Sequence, residues 1–96
     1  MNLKVSIITP MHNSERFIEE TIFSVQNQEY KNWEMLIVDD CSSDKSIEIV
    51  EQIQSHDDRI KLFKNDVNLG AGLSRNIAIE KSSGDIIAFL DSDDIW

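Results

Sequence analysis

Four short apolar runs, each separated from the next by a segment with helical spacing, constrain the fold of this chain more than any other feature. The runs cover residues 5–8, 35–38, 60–63 and 85–90. Pro10 closes the first run, and Asp39 and Asp40 end the second. Near-continuous apolar runs of this length are typical of strands that are buried on both faces of a parallel sheet.

The intervening segments predict three helices. The first covers about residues 15–28, with Asn13 or Ser14 as its N-cap. The second is capped by Ser42, Ser43 or Asp44 and buries Ile47, Val50 and Ile53, while Leu73, Ile77 and Ala78 mark the third. Gly84 stands where a C-cap glycine is expected, just before the fourth strand.

The resulting order, β-α-β-α-β-α-β, predicts a three-layer α/β/α fold with a mainly parallel, Rossmann-like sheet. Right-handed crossovers bring the carboxyl ends of all four strands to one edge. Residues 1–96 form one structural unit without an internal repeat or linker. The chain stops directly after the fourth strand and an acidic cluster, so we expect Trp96 to lie inside a larger domain.

The charge balance limits the classes of partner. A net charge of −9 argues against nucleic acid, and a nucleotide diphosphate would need a cation to bind here. No run approaches the roughly 20 apolar residues that span a bilayer, and residues 1–4 carry no signal-peptide pattern. With Cys41 as the single cysteine, we expect a cytoplasmic protein.

Polar segments follow each predicted strand, at residues 9–13, 39–43, 65–68 and 91–94. Ligands of open α/β sheets bind at this edge, so the convergence of these segments predicts a binding site. Residues 91–94 place Asp91, Asp93 and Asp94 within four positions. Such a cluster is either a solvated acidic turn or a site for Mg²⁺ or Mn²⁺, and its position after a buried strand favours the metal.

Other residues on this edge keep two interpretations each. A carboxylate of Asp39 or Asp40 can accept the imide N–H of uracil, although one of the two can equally be a turn former. His12 either contacts a base or phosphate or is an exposed loop residue. Arg75 either reaches a diphosphate or makes a surface ion pair. Gly70 and Gly72 do not complete a dinucleotide fingerprint.

Several blocks of sequence, in this order, resemble the opening of the glycosyltransferase family 2 domain. They are VSIITPMHN (5–13), SVQNQ (24–28), NWE (32–34), VDDCSSD (38–44), NLG (68–70), RN (75–76), GD (84–85) and LDSDD (90–94). Each block is weak alone, but the order and spacing are specific, and the resemblance covers essentially all 96 residues.

The resemblance implies a GT-A fold that uses a nucleotide-diphosphate sugar, most often a UDP-sugar, with inversion at the anomeric carbon. By the same resemblance, Pro10 and His12 line the base and ribose pocket and Asp40 bonds uracil. Asp91 and Ser92 face the ribose and sugar, and Asp93 holds Mn²⁺ or Mg²⁺ at the diphosphate. His12 stands where the family usually carries tyrosine.

The resemblance also implies what lies outside these residues. The catalytic base is expected beyond Trp96, so this chain binds nucleotide without transferring sugar. The acceptor is a glycan or a lipid-linked molecule, and the whole protein can work at the inner face of the membrane. The exposed sheet edge also allows a homodimer.

Two other classes compete with this interpretation. Residues 91–95 also resemble the D-x-D motif of haloacid-dehalogenase-type phosphatases, in which the first aspartate is a nucleophile. That motif normally follows the first strand of its domain, whereas Asp91 follows the fourth here, and it leaves Asp39 and Asp40 unexplained. A non-catalytic interaction module of flavodoxin-like shape is the third class, and it would respond to neither nucleotide nor metal.

Overall fold

Residues 3–96, described by a computed structural model, form a four-stranded parallel sheet with three helices; Met1 and Asn2 lie outside the described residues. The strand order is β3-β2-β1-β4, and all three pairings are parallel. In sequence order the elements are β1 (Val5–Met11), α1 (Ile18–Gln26), β2 (Trp33–Asp39), α2 (Ser46–Gln54), β3 (Ile60–Lys64), α3 (Ala71–Lys81) and β4 (Ile86–Phe89). The predicted element order and parallel sheet are therefore confirmed.

The sheet separates two apolar layers, as a three-layer fold requires. Alternate residues of a strand point to opposite faces, so β1 and β2 supply both layers. On one face α1 and α2 cover the larger core of Ile7, Met11, Ile18, Ile22, Val25, Trp33, Met35, Ile37, Val50, Ile60 and Leu90. On the other face, α3 places Ala78 against Ile8, Leu36 and Val38.

The loop between β1 and α1 differs from its prediction. The strand does not stop at Pro10 but continues to Met11, because the fixed φ of proline is compatible with extended backbone. The helix begins at Ile18 rather than near residue 15, and neither Asn13 nor Ser14 caps it with its side chain. Both side chains are engaged with other loops, and the carbonyl of Ser14 accepts the N–H groups of Phe17 and Ile18 instead.

The second helix begins at Ser46, later than the predicted caps suggest. Of the three candidate caps, Asp44 accepts the N–H of Ser46 at 2.9 Å. Val50 is buried and Ile53 packs on the core, both as predicted. Ile49, which the prediction did not include, also packs on the core, whereas Ile47 is only partly buried.

The third helix ends before Gly84, so the prediction of a C-cap glycine is wrong. The helix stops at Lys81, and Ser82 already has an extended backbone. Gly84 is required for a different reason: a Cβ atom there would lie 2.4 Å from Ser6 Oγ and 2.8 Å from the Lys4 carbonyl oxygen. Leu73, expected to mark the buried side, is exposed, and Ser74 is buried in its place.

Strand β4 forms one edge of the sheet, which corrects the prediction that every strand is buried on both faces. It pairs only with β1 among the described strands, and α3 packs over β1 and β2 instead. Ile86 and Phe89 are consequently 45% and 57% exposed. None of the helices in residues 3–96 has the length and apolar character needed to cross a membrane.

Candidate nucleotide and metal site

The carboxyl ends of the strands open into one cleft of about 420 Å³. Its walls come from the loops after β1, β2 and β4 and from the start of α3, as expected for an open parallel sheet. The lining residues are Pro10, Met11, His12, Asn13, Ser14, Phe17, Asp40, Ala71, Arg75, Asp91, Ser92 and Asp93. The cleft contains all seven residues to which the sequence analysis assigned a ligand or metal contact: Pro10, His12, Asp40, Arg75, Asp91, Ser92 and Asp93.

Asp40, at the floor of the cleft, is already bonded to the loop that precedes α3. Its Oδ1 accepts from Leu69 N at 2.7 Å and from Asn65 Nδ2 at 3.0 Å, and its Oδ2 accepts from Gly70 N at 2.8 Å. Burial opposes ionisation most strongly, but these three bonds outweigh it and lower the pKa of the Asp40 carboxyl. Asp40 is therefore a buried anion with about one of its roughly four acceptor positions still free.

Asp39 is the turn former of the acidic pair. Its Oδ1 accepts the hydroxyl of Ser42, and its Oδ2 accepts the Ser42 N–H at 3.1 Å. Its carboxylate is buried and is used within the loop. The sequence allowed each of the two aspartates to be a turn former or a ligand-binding residue. In the structure Asp39 shapes the turn, and Asp40 lines the cleft.

Cys41 follows them in a left-handed conformation, with φ of 59°. Its thiol donates to the carbonyl oxygen of Asn65 at 3.3 Å. Burial, followed by the neighbouring carboxylates Asp40 and Asp39, raises the pKa of this thiol. A protonated thiol that is bonded to backbone agrees with a packing role for Cys41.

The ring of His12 is held by the backbone of the acidic pair. Its Nδ1 lies 2.6 Å from the carbonyl oxygen of Asp40. Because a carbonyl oxygen can only accept, Nδ1 carries the proton in this contact. Nε2 lies 3.4 Å from the Asn13 side-chain nitrogen. His12 is therefore an exposed loop residue whose ring is held at the cleft wall by this bond.

Asn13 and Ser14 join the first loop to the second. Asn13 has a φ of 48°, in the left-handed region that asparagine tolerates better than most residues. In this conformation its Oδ1 accepts the Ser43 N–H at 2.8 Å, and its own N–H donates to Ser42 Oγ at 2.8 Å. The backbone N–H of Ser14 donates to Ser46 Oγ at 2.7 Å, at the start of α2.

The acidic segment brings three carboxylates together at the mouth of the cleft. One oxygen from each of Asp91, Asp93 and Asp94 lies within 4.8 Å of the other two, and all three residues are exposed. An oxygen-only donor set of this kind suits Mg²⁺ or Mn²⁺. The three carboxylates therefore fit the predicted metal, and Asp91 and Asp94 lie close enough to Asp93 that they could share it.

Arg75 provides a positive charge next to these carboxylates. Its Nη2 lies 3.4 Å from Asp91 Oδ1, and both side chains are accessible to solvent. An exposed pair of this kind contributes little to stability, roughly 0–1 kcal/mol, so the guanidinium can move to another anion at small cost. The two interpretations of Arg75, diphosphate ligand and surface ion pair, are compatible.

Ser92 lines the cleft, but its hydroxyl is engaged with the protein. Its Oγ lies 2.6 Å from Ser14 Oγ, and its carbonyl oxygen accepts the hydroxyl of Thr21 at 2.9 Å. Sequence patterns missed this connection because Ser14 and Thr21 lie more than 70 positions before Ser92. Of the other lining residues, Met11 and Asn13 lie in the predicted segment 9–13 but had no role assigned to them. Ser14, Phe17 and Ala71 lie outside the four predicted segments.

An α/β sheet whose carboxyl edge combines a buried aspartate with a solvent-facing carboxylate cluster is the arrangement expected of a GT-A-type glycosyltransferase domain. The chain belongs to glycosyl transferase family 2, whose family model matches residues 6–96. This membership disfavours both the phosphatase and the interaction-module alternatives.

Individual relatives agree in sequence and in fold. The chain is 50% identical over 92 residues to the UDP-Glc:alpha-D-GlcNAc-diphosphoundecaprenol beta-1,3-glucosyltransferase WfgD of Escherichia coli, covering 96% of this chain and 36% of that protein. The crystal structure of Staphylococcus aureus TarS 1-349 in complex with UDP-GlcNAc matches with 35% identity and a TM-score of 0.90, covering 97% of this chain and 27% of TarS.

A third match extends the shared fold to a more distant protein. Mannosyltransferase PcManGT from Pyrobaculum calidifontis, in complex with GDP-Man and Mn2+, has a TM-score of 0.92 at 24% identity, covering 100% of this chain and 29% of PcManGT. The chain spans about a third of the length of the curated relatives that it matches first.

Proposed function

We propose that this chain forms the donor-binding part of a glycosyltransferase that transfers a sugar from a UDP-sugar to an acceptor hydroxyl with inversion. The observation that carries the proposal is the cleft that Asp40 shares with Asp91 and Asp93, two of the three clustered carboxylates. A UDP donor is supported by WfgD, whose name specifies UDP-Glc, and by TarS, whose crystal structure holds UDP-GlcNAc.

The base end of the donor lies at Pro10, His12 and Asp40 in this proposal. Three protein donors leave Asp40 with about one acceptor position, which matches the single imide N–H of uracil. The bond between His12 and the Asp40 carbonyl holds the imidazole beside this position, where it can pack against the base or ribose.

The diphosphate end lies at Asp91, Asp93 and Asp94, with Arg75 at its side. These carboxylates would hold Mn²⁺ or Mg²⁺, which as a Lewis acid offsets the negative charge that grows on the departing diphosphate. Arg75 can exchange its exposed contact with Asp91 for a phosphate oxygen. This assignment explains how a chain with a net charge of −9 can hold an anionic ligand.

The acceptor and the base that deprotonates it belong, in this proposal, to parts of the protein outside these 96 residues. The name of WfgD specifies a diphosphoundecaprenol-linked acceptor, which supports a lipid-linked acceptor here too. Such an acceptor is consistent with work at the cytoplasmic face of a membrane. The isolated chain should then bind UDP without transferring sugar.

Calorimetry with UDP tests this proposal directly. UDP binding should strengthen when Mn²⁺ is added, and Asp93→Ala should remove that gain. Asp58→Ala, an exposed aspartate in the turn before β3, is the matched control and should leave binding unchanged. Equal UDP affinity with and without Mn²⁺ in both the unaltered chain and Asp93→Ala would contradict the metal assignment. Tighter binding of GDP than of UDP would contradict the donor assignment.

A further inference from the structure

The acidic segment is attached to α1 and to the loop before it by two buried hydroxyl groups, from Thr21 and Ser14, that have no role in the proposed function. Ser14 and Thr21 are only 6% and 1% exposed, and both contact Ser92. Ser14 contacts the Ser92 hydroxyl, and Thr21 donates to the Ser92 carbonyl oxygen. Ser92 is therefore bonded through its side chain and its backbone at the same time.

Ser14 is fixed on several sides. Its backbone N–H donates to Ser46 Oγ, and its Oγ is 3.3 Å from the carbonyl oxygen of His12. A hydroxyl has one proton, so when Ser14 donates to His12, the proton in the contact with Ser92 must come from Ser92. The Ser92 hydroxyl then has no proton left for a ligand, which indicates a structural use of this side chain.

Thr21 uses its hydroxyl in an unusual direction for a helical residue. Threonine in a helix often bonds to a carbonyl of its own preceding turn, but Thr21 Oγ1 donates away from α1 to Ser92 at 2.9 Å. Its β-branched side chain has few rotamers in a helix, so the direction of this bond is well defined.

The Ser92 carbonyl belongs to the peptide unit that joins Ser92 to Asp93. Fixing its orientation fixes the backbone from which the Asp93 carboxylate extends. A further bond from Asp94 N to the Asp91 carbonyl oxygen, at 3.1 Å, closes the turn around Ser92. The three carboxylates thus extend from a turn that is bonded to Ser14 and to Thr21 of α1 through their hydroxyl groups, and Trp96 N, just beyond the turn, donates to Ser24 Oγ of the same helix.

We propose that Ser14 and Thr21 are positioning residues that set the geometry of the Asp91 and Asp93 carboxylates for a divalent cation, acting through Ser92. This inference rests on the proposed function, because it assigns a role to the support of the same metal site. Groups that orient metal ligands without touching the metal typically change metal affinity 10–100-fold when they are removed. The ligand that tests the proposal is Mn²⁺, read through its effect on UDP binding.

The experiment compares two variants with two controls. Thr21→Val removes the hydroxyl at nearly constant volume, and Ser14→Ala removes the other. Thr21→Ser keeps a hydroxyl at position 21, while Ser55→Ala removes an exposed hydroxyl just after α2 that donates to the Gln52 carbonyl oxygen. Thermal unfolding establishes that each variant is folded.

Each variant is titrated with Mn²⁺ at a fixed UDP concentration. The Mn²⁺ concentration for half-maximal gain in UDP binding should rise about tenfold or more in Thr21→Val and Ser14→Ala, and stay near its original value in both controls. Uridine affinity without metal should not change in Thr21→Val, because Thr21 does not line the cleft. Amide exchange at Asp93 and Asp94 should accelerate in Thr21→Val without any ligand.

The outcomes separate this inference from the function on which it rests. An unchanged Mn²⁺ midpoint in both hydroxyl-removing variants would overturn the positioning role and leave the donor site intact. An equal loss of metal-free uridine binding in Thr21→Val would also overturn it, because that variant would then act on the whole cleft. If the unaltered chain showed no Mn²⁺-dependent UDP binding, both proposals would fall.

Discussion

The backbone N–H of Gly70 donates to Oδ2 of Asp40 at 2.8 Å, which connects the end of β2 to the first residue before α3. Gly70 has a φ of 86°, a conformation that favours glycine. The same carboxylate also accepts the N–H of Leu69. One buried anion therefore shapes the loop between β3 and α3 and lines the cleft.

Replacing Asp40 with asparagine should damage both roles. The asparagine NH₂ group cannot accept the bonds that one carboxylate oxygen now accepts from Leu69 or Gly70, so a buried donor loses its partner. We expect a loss of about 2–3 kcal/mol in the free energy of unfolding, measured by urea denaturation, and UDP binding weaker by at least tenfold, or about 1.4 kcal/mol. Asp66→Asn, an exposed aspartate nearby, is the control, and an unchanged denaturation midpoint in Asp40→Asn would contradict this account.

Gly84→Ala should destabilise the pairing of β1 with β4. The added Cβ would lie 2.8 Å from backbone atoms of Lys4 and Ser6, so the strands must separate, at a cost of about 1–3 kcal/mol. Gly72→Ala is a matched comparison, because it lies within α3 with nothing within 4 Å of the new atom. That change should stabilise the chain by roughly 0.5–1 kcal/mol. Thermal melts that rank the two variants in the opposite order would refute the close-approach explanation.

The free energy of unfolding should decrease in acid, because the buried carboxylate of Glu34 becomes protonated there. Burial of this carboxylate opposes its ionisation most strongly, but the Ser83 N–H, Lys61 and Ser6 outweigh it and lower its pKa from 4.5 to about 2. A lowered folded-state pKa contributes stability above about pH 4.5, and this contribution is lost as the pH falls towards 2. The contribution is on the order of 3 kcal/mol.

Urea denaturation of Glu34→Gln at several pH values checks this expectation. The variant should be less stable at pH 7 and should lose less stability between pH 5 and about pH 2 than the unaltered chain. Some dependence will remain, because Arg59 holds the pKa of Asp57 at about 2 as well. In Glu51→Gln, which breaks an exposed pair with Lys64, the profile should be unchanged. If the stability of Glu34→Gln and of the unaltered chain changed with pH in parallel, Glu34 would be ruled out as a cause of the acid sensitivity.

Arg75→Gln should weaken the binding of the diphosphate without affecting the binding of the base. Loss of the guanidinium should weaken UDP binding about tenfold and leave uridine binding unchanged, because only the diphosphate needs the charge. Lys64→Gln removes a positive charge away from the cleft and serves as the control. Isothermal titration calorimetry with uridine and with UDP measures both affinities. An equal loss of affinity for the two ligands would mean that Arg75 shapes the cleft instead of binding phosphate.

Local sequence predicted the fold class but not the neighbours of each strand. The apolar run at residues 85–90 looks like those of the central strands, yet its strand lies at the edge of the described sheet with Phe89 exposed. Apolar composition reports a preference for burial, whereas the order of strands determines whether a covering layer is present. Gly84 was misassigned for a similar reason, because the residues that it approaches, Lys4 and Ser6, lie at the opposite end of the chain.

The sequence by itself determined the alternation of strands and helices, the parallel sheet and the edge at which polar residues collect, because each follows from periodicity and from the handedness of crossovers. The family resemblance pointed to Asp40, but only the tertiary structure decided that Asp39 is used within its turn and that Ser14 and Thr21 hold Ser92. The physical reason is range: periodicity is a local property of the chain, whereas hydrogen bonds join whichever donors and acceptors folding brings within about 3 Å.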